Sequence, residues 1–326
     1  MKTELKVILV VALVLLGTEV GMRMFQNRLS IDISHINSIP KISDQVAESV
    51  PDGETKVLFV GNSLTRSGLN DSMFREELKE QGVDVRTHYI YPDGSSVNLW
   101  SFMVRNNFAD SEKLPDVMVV AFGRSHLRDS KSDPTILASY AGLSDLGKVV
   151  TEESENFDEA AEFVLARASV AFMHRRRVQP RLFIDLLPYY LESYRRLNEI
   201  RKEKQTEKED DETDDAEPGS SQEPTFRRLR ELLEATADKG VSVIFVSIPM
   251  FEPYEVPEGA ISLIREKGAV YADLRSLPIT PADFDDDRYH LGVAGAEKFT
   301  GAFVDVFLEF VGRGRRIIAC VGEPSR

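Results

Sequence analysis

The sequence predicts an α/β fold built around a parallel sheet. Short runs rich in β-branched and aromatic residues alternate with helical patterns along most of the chain. This alternation is typical of a parallel sheet that is covered by helices on both faces. The predicted strands are Lys56–Val60, Val83–Ile90, Asp116–Phe122, Val241–Ile248 and Ala269–Leu274. Because such sheets bind ligands beyond the carboxyl ends of their strands, the loops after these strands are the places to search for a site.

Helical patterns separate the strands and follow the last one. The predicted helices are Asp71–Glu80, Ser96–Asn106, Thr225–Lys239, Pro257–Lys267 and Val293–Phe310. Residues 127–224 break the alternation, because they contain helical patterns such as Phe157–Arg177 and Arg181–Arg201 but no good strand. We therefore expect one domain over residues 55–312, interrupted by a mostly helical insertion at 127–224.

The insertion ends in an acidic stretch. Residues 199–224 hold 11 acidic and 4 basic residues and no aromatic residue, a composition that buries too little apolar surface to fold. We predict that this stretch is a disordered loop and interpret it first as a solvated spacer. Alternatives for the insertion as a whole are a lid over the site or a docking surface for a protein of the cell envelope.

The N-terminus carries a membrane-targeting pattern. Lys2 and Lys6 precede an apolar run over residues 7–17, as in secretory signals, and the apolar character continues towards Phe25, near the roughly 20 residues that a bilayer requires. Without a clear cleavage site, an uncleaved anchor at 1–25 is favoured over a cleaved signal or a buried helix. The positive N-terminus predicts that the body lies outside the cytoplasm, with a tether at 26–54.

Composition restricts the partners and cofactors. The formal net charge is −14, which argues against a general nucleic-acid binder because phosphates are bound by clustered Lys and Arg. About half of that charge belongs to residues 199–224. A single cysteine, Cys320 in a predicted tail at 313–326, excludes disulfides within the chain and multi-cysteine metal sites, and no histidine pair has metal-ligand spacing. We expect neither a metal nor another cofactor.

Two motifs fall at the predicted carboxyl edge of the sheet. Ser63 follows the first strand at a turn into a helix, where main-chain N–H groups can face a developing oxyanion. Asp287 and His290 lie three residues apart just before the last helix. A carboxylate so placed can orient one imidazole nitrogen, which leaves the other to accept a serine proton. Separately each motif is a common loop sequence, but together they predict a nucleophile, a base and an orienting acid.

These motifs resemble those of the SGNH/GDSL hydrolase superfamily. The resemblance covers residues 56–126 and 225–310 and rests on the sequences VLFVGNSLT (57–65) and DRYHL (287–291). It implies a flavodoxin-like sheet in the order 2-1-3-4-5, with Ser63 as nucleophile, His290 as general base and Asp287 as its partner. Together with the N-terminal anchor, it looks like the membrane-anchored members that act on cell-envelope polysaccharides.

Two further family positions are weaker in this sequence. In YPDGSS (91–96), the resemblance implies that Gly94 lends its N–H to an oxyanion hole beside that of Ser63. The family's Gly-x-Asn block corresponds to AFGRSH (121–126), where Ser125 stands in place of the asparagine donor and His126 is a further candidate to face the pocket. Loss of one such donor costs about 10²–10³ in rate in a well-studied case, so this departure argues against an ordinary esterase.

The leading functional prediction is a serine esterase that works through an acyl-enzyme on an acylated small molecule or polysaccharide, with deacylation of a carbohydrate favoured. One alternative is an O-acyltransferase that passes the acyl group to a cell-surface polysaccharide, because the same triad serves both reactions. A second alternative is a binding or scaffold protein on an inactive hydrolase fold. The missing asparagine favours that second alternative, whereas the Ser63, Asp287 and His290 pattern opposes it.

Overall fold

The computed structural model describes residues 2–108, 113–176, 178, 196, 225–237 and 239–321. It divides the chain into two compact units. The smaller unit comprises residues 1–26 and 133–224, and the larger unit comprises residues 27–132 and 225–326. The N-terminal segment therefore groups with the predicted insertion, whereas the sheet and every predicted site residue belong to the larger unit.

The larger unit is built on a five-stranded parallel sheet. Strands β1 to β5 span Thr55–Val60, Val85–Ile90, Val117–Phe122, Ser242–Ser247 and Val270–Asp273. Their order is β2-β1-β3-β4-β5 and every neighbouring pair is parallel. This confirms the predicted α/β fold and strand order, with strand ends within two residues of the predicted ones. All of β3 is buried, as expected for a central strand that is covered on both faces.

Twelve α-helices occur in the described part of the chain. Helices α1 to α12 span Lys2–Phe25, Ile31–Ala47, Ser63–Gly68, Asp71–Glu80, Val97–Asn107, Pro134–Leu137, Leu146–Lys148, Phe157–Ala168, Val170–Met173, Arg227–Ala237, Glu258–Glu266 and Val293–Val321. Shorter 3₁₀ segments lie at Gln26–Arg28, Leu143–Asp145 and Pro281–Asp283, and a π-helical turn lies at Val149–Glu153.

Aromatic packing joins one face of the sheet to α4 and α12. Phe59 on β1 lies 5.4 Å from Phe74 of α4 and 6.1 Å from Phe303 of α12, measured between ring centroids, and Phe307 lies 5.3 Å from Phe74. All four rings are essentially inaccessible to solvent. Rings of this size supply much of the burial that stabilises a core, and edge-to-face pairs add to it. This packing fixes α12, which follows the loop that carries His290.

The opposite face is covered by α5 and α10, which pack against each other. The Arg228 side chain of α10 is fully buried between them, with its guanidinium 4.6 Å from the centre of the Phe102 ring and 2.6 Å from a Glu231 carboxylate oxygen. An arginine is tolerated in such a position because the carboxylate and the ring face both compensate its charge. The cation therefore belongs to the interface between these two helices.

A glycine permits the close approach of α3 to the end of β1. A Cβ atom on Gly61 would lie 2.7 Å from Thr65 Cβ, 1.8 Å from Thr65 Oγ1 and 3.0 Å from the Ala121 carbonyl oxygen. Thr65 Oγ1 itself donates a hydrogen bond to that carbonyl over 3.2 Å. No larger residue fits without movement of the helix, so Gly61 determines where α3 begins.

The segment predicted as a tether, residues 26–54, is instead largely helical and packed. Helix α2 starts after Ser30, whose hydroxyl accepts the Ile33 N–H, and it buries Ile33, Ile39 and Val46. This differs from the expected open tether, which was predicted from Pro40 and the mixed polarity. That mixed pattern is an amphipathic helix, and the helix continues through the proline.

The C-terminal prediction also differs from the structure. The last helix, predicted to end at Phe310, continues as α12 to Val321, so residues 313–321 are helical rather than a tail. Residues 322–326 lie outside the described residues.

In the smaller unit, α1 contacts α9 through a carboxylate. Glu19 of α1 accepts hydrogen bonds from the N–H groups of Val170 and Ala171 and from the Ser169 hydroxyl, over 2.7–3.1 Å. The predicted helix at Phe157–Arg177 is interrupted at Ser169, which caps α9. The predicted acidic loop at 199–224 lies outside the described residues, as does nearly all of the predicted helix at Arg181–Arg201.

Helix α1 is also the one described helix that is long and apolar enough to cross a membrane. The candidate span is Thr3–Arg28, with a mean hydropathy of 2.2. Its large apolar side chains between Leu5 and Leu16 are each more than half exposed. By length and composition this helix fits either a membrane anchor or a signal sequence.

Replacement of Gly61 by alanine tests the junction between β1 and α3. We expect Gly61→Ala to lower the free energy of unfolding by about 1–3 kcal/mol, as overpacking does in a dense core. The measurement is the urea midpoint of the detergent-solubilised full chain. Gly68→Ala on the same helix is the matched control, because its added Cβ meets no atom closer than 3.6 Å. Equal midpoints for the two variants would contradict the prediction.

Candidate active site

Ser63, His290 and Asp287 come together at the carboxyl edge of the sheet. Ser63 opens α3 directly after the β1 loop, and His290 lies just before α12. Ser63 Oγ is 2.9 Å from His290 Nε2, and His290 Nδ1 is 2.6 Å from Asp287 Oδ2. The structure therefore joins these three residues in one hydrogen-bonded chain, although Ser63 and His290 are 227 positions apart.

Asp287 is held by main-chain donors as well as by the imidazole. Its Oδ1 accepts the N–H groups of Tyr289 and His290 over 2.9 and 3.0 Å. The His290 backbone, the His290 side chain and the Tyr289 backbone, in that order, lower the pKa of Asp287 to about 2. A carboxylate with a lowered pKa keeps its charge until the pH falls through that value. Asp287 thus remains an acceptor for Nδ1–H, which leaves the Nε2 lone pair facing Ser63.

The loop that carries the acid and the base is closed on itself. The Asp285 N–H donates to the His290 carbonyl over 2.9 Å, and the Gly292 N–H donates to the Asp283 carbonyl over 2.8 Å. The Asp283 carboxylate is held by Lys298 of α12 at 2.7 and 2.8 Å. Lys298 is the largest cause of an Asp283 pKa lowered to about 2. These bonds fix the loop to α12, so the imidazole has a rigid support.

Asn62 connects the nucleophile to the neighbouring loop. Its side-chain Oδ1 accepts the Leu64 N–H over 3.0 Å and so caps α3, and its Nδ2 donates to the Ser95 carbonyl oxygen over 2.8 Å. The sequence resemblance leads one to expect an aspartate here. The amide keeps the capping acceptor and adds a donor, which the carboxylate does not have.

Two main-chain N–H groups near the nucleophile remain available. Those of Ser63 and Gly94 have no hydrogen-bond partner among the residues that the structure describes. Gly94 adopts a φ of 65°, a left-handed conformation that glycine tolerates without strain. Both groups lie in loops at the same sheet edge, where sequence analysis predicts an oxyanion hole. Their roles in catalysis stay predictions.

Two buried side chains, Trp100 and Ser95, support the main chain behind this edge; the sequence favours a core position for Trp100 but does not indicate these contacts. The Trp100 indole N–H donates to the Gly61 carbonyl oxygen over 2.9 Å and lies 2.8 Å from Ser95 Oγ. Ser95 Oγ lies 2.9 Å from the same carbonyl oxygen. Both side chains are fully buried, and they fix the main chain just before the nucleophile. Their partners are distant in sequence, so no local pattern indicates them.

The loop after β3 differs from the expectation. Ser125, predicted to replace the missing asparagine, is exposed, and its hydroxyl makes no hydrogen bond to any described residue. The next residue, His126, turns its ring inwards instead. The Gly123 N–H donates to His126 Nδ1 over 3.2 Å, and Asn62 Nδ2 lies 3.2 Å from the same nitrogen. At this position the structure thus brings His126, rather than Ser125, next to Asn62.

Within the described residues, no group of three or more His, Cys, Asp or Glu side chains is arranged to hold a metal ion. The aspartates near the histidine are used locally: Asp283 binds Lys298, and Asp287 binds the imidazole. The chemistry that these side chains themselves support is proton transfer between Ser63 and His290, and nucleophilic attack by the serine.

Comparisons with known proteins return distant likenesses only. No protein-family model and no curated protein matches the chain. Among solved structures, an acetylxylan esterase from Geobacillus stearothermophilus is similar, with 14% identity and a TM-score of 0.37, over 77% of this chain and 93% of that one. A GDSL-like lipase from Bacteroides thetaiotaomicron is similar with 12% identity and a TM-score of 0.37, over 85% and 99% of the two chains.

Proposed function

We propose that the protein is a serine ester hydrolase of the SGNH/GDSL type that works through an acyl-enzyme. The observation that carries this proposal is the chain of hydrogen bonds from Ser63 through His290 to Asp287, at 2.9 and 2.6 Å. These distances lie within the range in which a base can take a proton from a nucleophile in the resting state. The availability of the Ser63 and Gly94 N–H groups supports the same reading of the site.

In the first half of the reaction, His290 Nε2 takes the Ser63 proton while Ser63 Oγ attacks the carbonyl carbon of an ester. The carbonyl oxygen becomes an oxyanion, which the N–H groups of Ser63 and Gly94 stabilise. His290 then returns its proton to the leaving alcohol oxygen as the carbon–oxygen bond breaks. The product is an acyl-serine, and the Asp287 carboxylate stabilises the imidazolium that forms transiently.

In the second half, a water molecule attacks the acyl-serine. His290 takes a proton from this water and returns it to Ser63 Oγ, and the carboxylic acid leaves. Replacement of water by a sugar hydroxyl gives acyl transfer by the same steps. The proposed substrate class is an acylated carbohydrate, which is the class that the sequence resemblance to anchored envelope enzymes implies.

We further propose that α1 anchors the protein in a membrane with the larger unit outside the cytoplasm. The exposed apolar side chains between Leu5 and Leu16 support an anchor, and Lys2 and Lys6 support an N-terminus that stays inside. This location gives the site access to cell-surface polysaccharides.

Substitution of the nucleophile is the first test of the proposed function. We expect Ser63→Ala to lower kcat on p-nitrophenyl acetate by roughly 10⁶-fold, as nucleophile removal does in a well-studied serine hydrolase, and to abolish labelling by a fluorophosphonate probe. Ser67→Ala is the matched control, since Ser67 lies one turn further along α3 and its hydroxyl only donates to main-chain carbonyls. Wild-type turnover in Ser63→Ala would exclude the acyl-enzyme mechanism.

Neutralisation of the orienting carboxylate is a second test. Asp287→Asn keeps an oxygen for the main-chain donors but places an amide N–H where Nδ1–H must donate, so the imidazole takes the wrong tautomer. We expect kcat to fall by about 10⁴-fold with the urea midpoint nearly unchanged. Asp286→Asn removes the same charge from the exposed neighbouring position and should leave kcat within about twofold of the wild type. An equal loss in both variants would indicate an electrostatic effect of the loop rather than orientation.

The orientation of the anchor is testable in cells. We expect alkaline phosphatase fused after residue 321 to be active, because that enzyme folds only in an oxidising compartment. If the fusion stays in the membrane fraction after a carbonate wash, α1 is uncleaved. Its release to the soluble fraction would instead indicate cleavage. An inactive fusion at normal expression would contradict the proposed orientation.

A further inference from the structure

The two polar neighbours of the His126 imidazole are both hydrogen-bond donors. Nδ1 lies 3.2 Å from the Gly123 nitrogen and 3.2 Å from Asn62 Nδ2, and the same Asn62 atom lies 3.4 Å from Nε2. The orientation of the Asn62 amide is fixed, because Oδ1 accepts the Leu64 N–H and Nδ2 donates to the Ser95 carbonyl oxygen. The amide therefore presents an N–H, and not its oxygen, to the imidazole.

This environment selects one protonation state of His126. A doubly protonated ring has no lone pair for either donor, and a ring protonated on Nδ1 sets an N–H against the Gly123 N–H. Only the neutral ring with its proton on Nε2 accepts both donors, through the Nδ1 lone pair. In agreement, burial and then the nearby Arg124 charge lower the pKa of His126 to about 4.

The remaining Nε2–H has no acceptor in the described part of the chain. The polar atom within hydrogen-bond distance of Nε2 is Asn62 Nδ2, which is itself a donor. His126 as a whole is only partly buried. A partly buried donor without a protein acceptor is suited to an acceptor on a bound molecule.

The position of His126 is fixed by main-chain bonds. Its carbonyl oxygen accepts the Val97 N–H at the start of α5 over 2.9 Å, and its own N–H donates to the Gly123 carbonyl oxygen over 3.1 Å. Arg124 in this turn has a left-handed φ of 39°, which is uncommon for a residue with a side chain. The loop is thus held in a strained conformation that places the imidazole beside Asn62, the residue that precedes the nucleophile.

We propose that His126 is a catalytic residue that donates a hydrogen bond from Nε2–H to the oxyanion formed during attack by Ser63. This inference rests on the proposed function and extends it. His126 supplies the third donor beside the Ser63 and Gly94 N–H groups, at the strand end where Ser125 offers none. No proton is transferred from His126, since it acts only as a donor and stays neutral throughout. The absent asparagine is thereby compensated by a residue one position further along.

The test compares an oxygen ester with its sulfur analogue. We propose to measure kcat and KM of the full chain on p-nitrophenyl acetate and p-nitrophenyl thionoacetate, in which C=S replaces C=O and accepts only weak hydrogen bonds. We expect His126→Ala to lower kcat on the oxygen ester by about 10²–10³-fold with KM little changed. The rate ratio between the oxygen and sulfur esters should fall, because the sulfur ester gains less from the donor.

His126→Gln is the matched variant, because its amide N–H can occupy the position of Nε2–H. We expect it to retain at least a tenth of the wild-type kcat and most of the oxygen-to-sulfur ratio. A wild-type kcat in His126→Ala would overturn the proposal. An equal loss of kcat on both esters, in a His126→Ala variant with a normal urea midpoint, would also overturn it. That result would indicate that His126 supports Asn62 and does not donate to the substrate. If His126→Ala does not fold, a folded His126→Gln with a kcat reduced more than 100-fold overturns it equally.

Failure of this inference is distinguishable from failure of the proposed function. Wild-type hydrolysis that Ser63→Ala abolishes, combined with no effect of His126 substitution, removes His126 from the mechanism and leaves the triad intact. Absence of Ser63-dependent hydrolysis and of fluorophosphonate labelling in the folded wild type removes the triad itself, and the role of His126 falls with it.

Discussion

The close approach of α3 to the carboxyl end of β1 is the constraint on which the site depends. Gly61 has no side chain because Thr65 and the Ala121 carbonyl oxygen occupy the space that a Cβ would need. Asn62 then caps the helix, and Ser63 takes its first position. Only two residues separate β1 from α3. Ser63 is therefore held on a rigid element and not on a flexible loop.

His290 reaches Ser63 from the other end of the chain. Its position depends on α12, which is held against the sheet by the packed rings of Phe59, Phe74 and Phe303. Lys298 of α12 binds the Asp283 carboxylate at the start of the loop. Core packing is thereby transmitted to the imidazole through the Lys298–Asp283 ion pair, whose lysine side chain is 45% exposed, and through a few main-chain bonds of the loop.

Asn62 has a second role that its place in the sequence does not reveal. Its amide contacts helix α3 and two loops at the sheet edge, through Leu64, Ser95 and His126. Because the capping bond fixes the direction of the amide, the protonation state of a histidine 64 positions away follows from it. An aspartate at this position would present an acceptor instead and would favour a protonated imidazole. The neutral amide and the histidine therefore form a matched pair.

The sequence by itself determined the fold class and indicated Ser63, His290 and Asp287 as candidate residues, whereas the strand order came from the resemblance of their motifs to a known family. The fold class and these candidates have local signals, namely β-branched runs, amphipathic helices, and an acid that lies three residues before a histidine in the same loop. Residues 26–54 show where a local signal misleads, because mixed polarity with a proline is compatible with both a tether and the packed helix α2.

Tertiary structure decided what depends on contacts between distant residues. Trp100 supports Gly61, and His126 rather than Ser125 meets Asn62, although nothing near those residues in the sequence distinguishes them from ordinary core or turn positions. The direction of a hydrogen bond depends on both groups that form it. The protonation state of His126 is therefore set only in the folded chain, where the ring lies beside Asn62. The sequence thus indicates Ser63, His290 and Asp287 as the candidate triad, whereas the folded chain determines which other donors surround them.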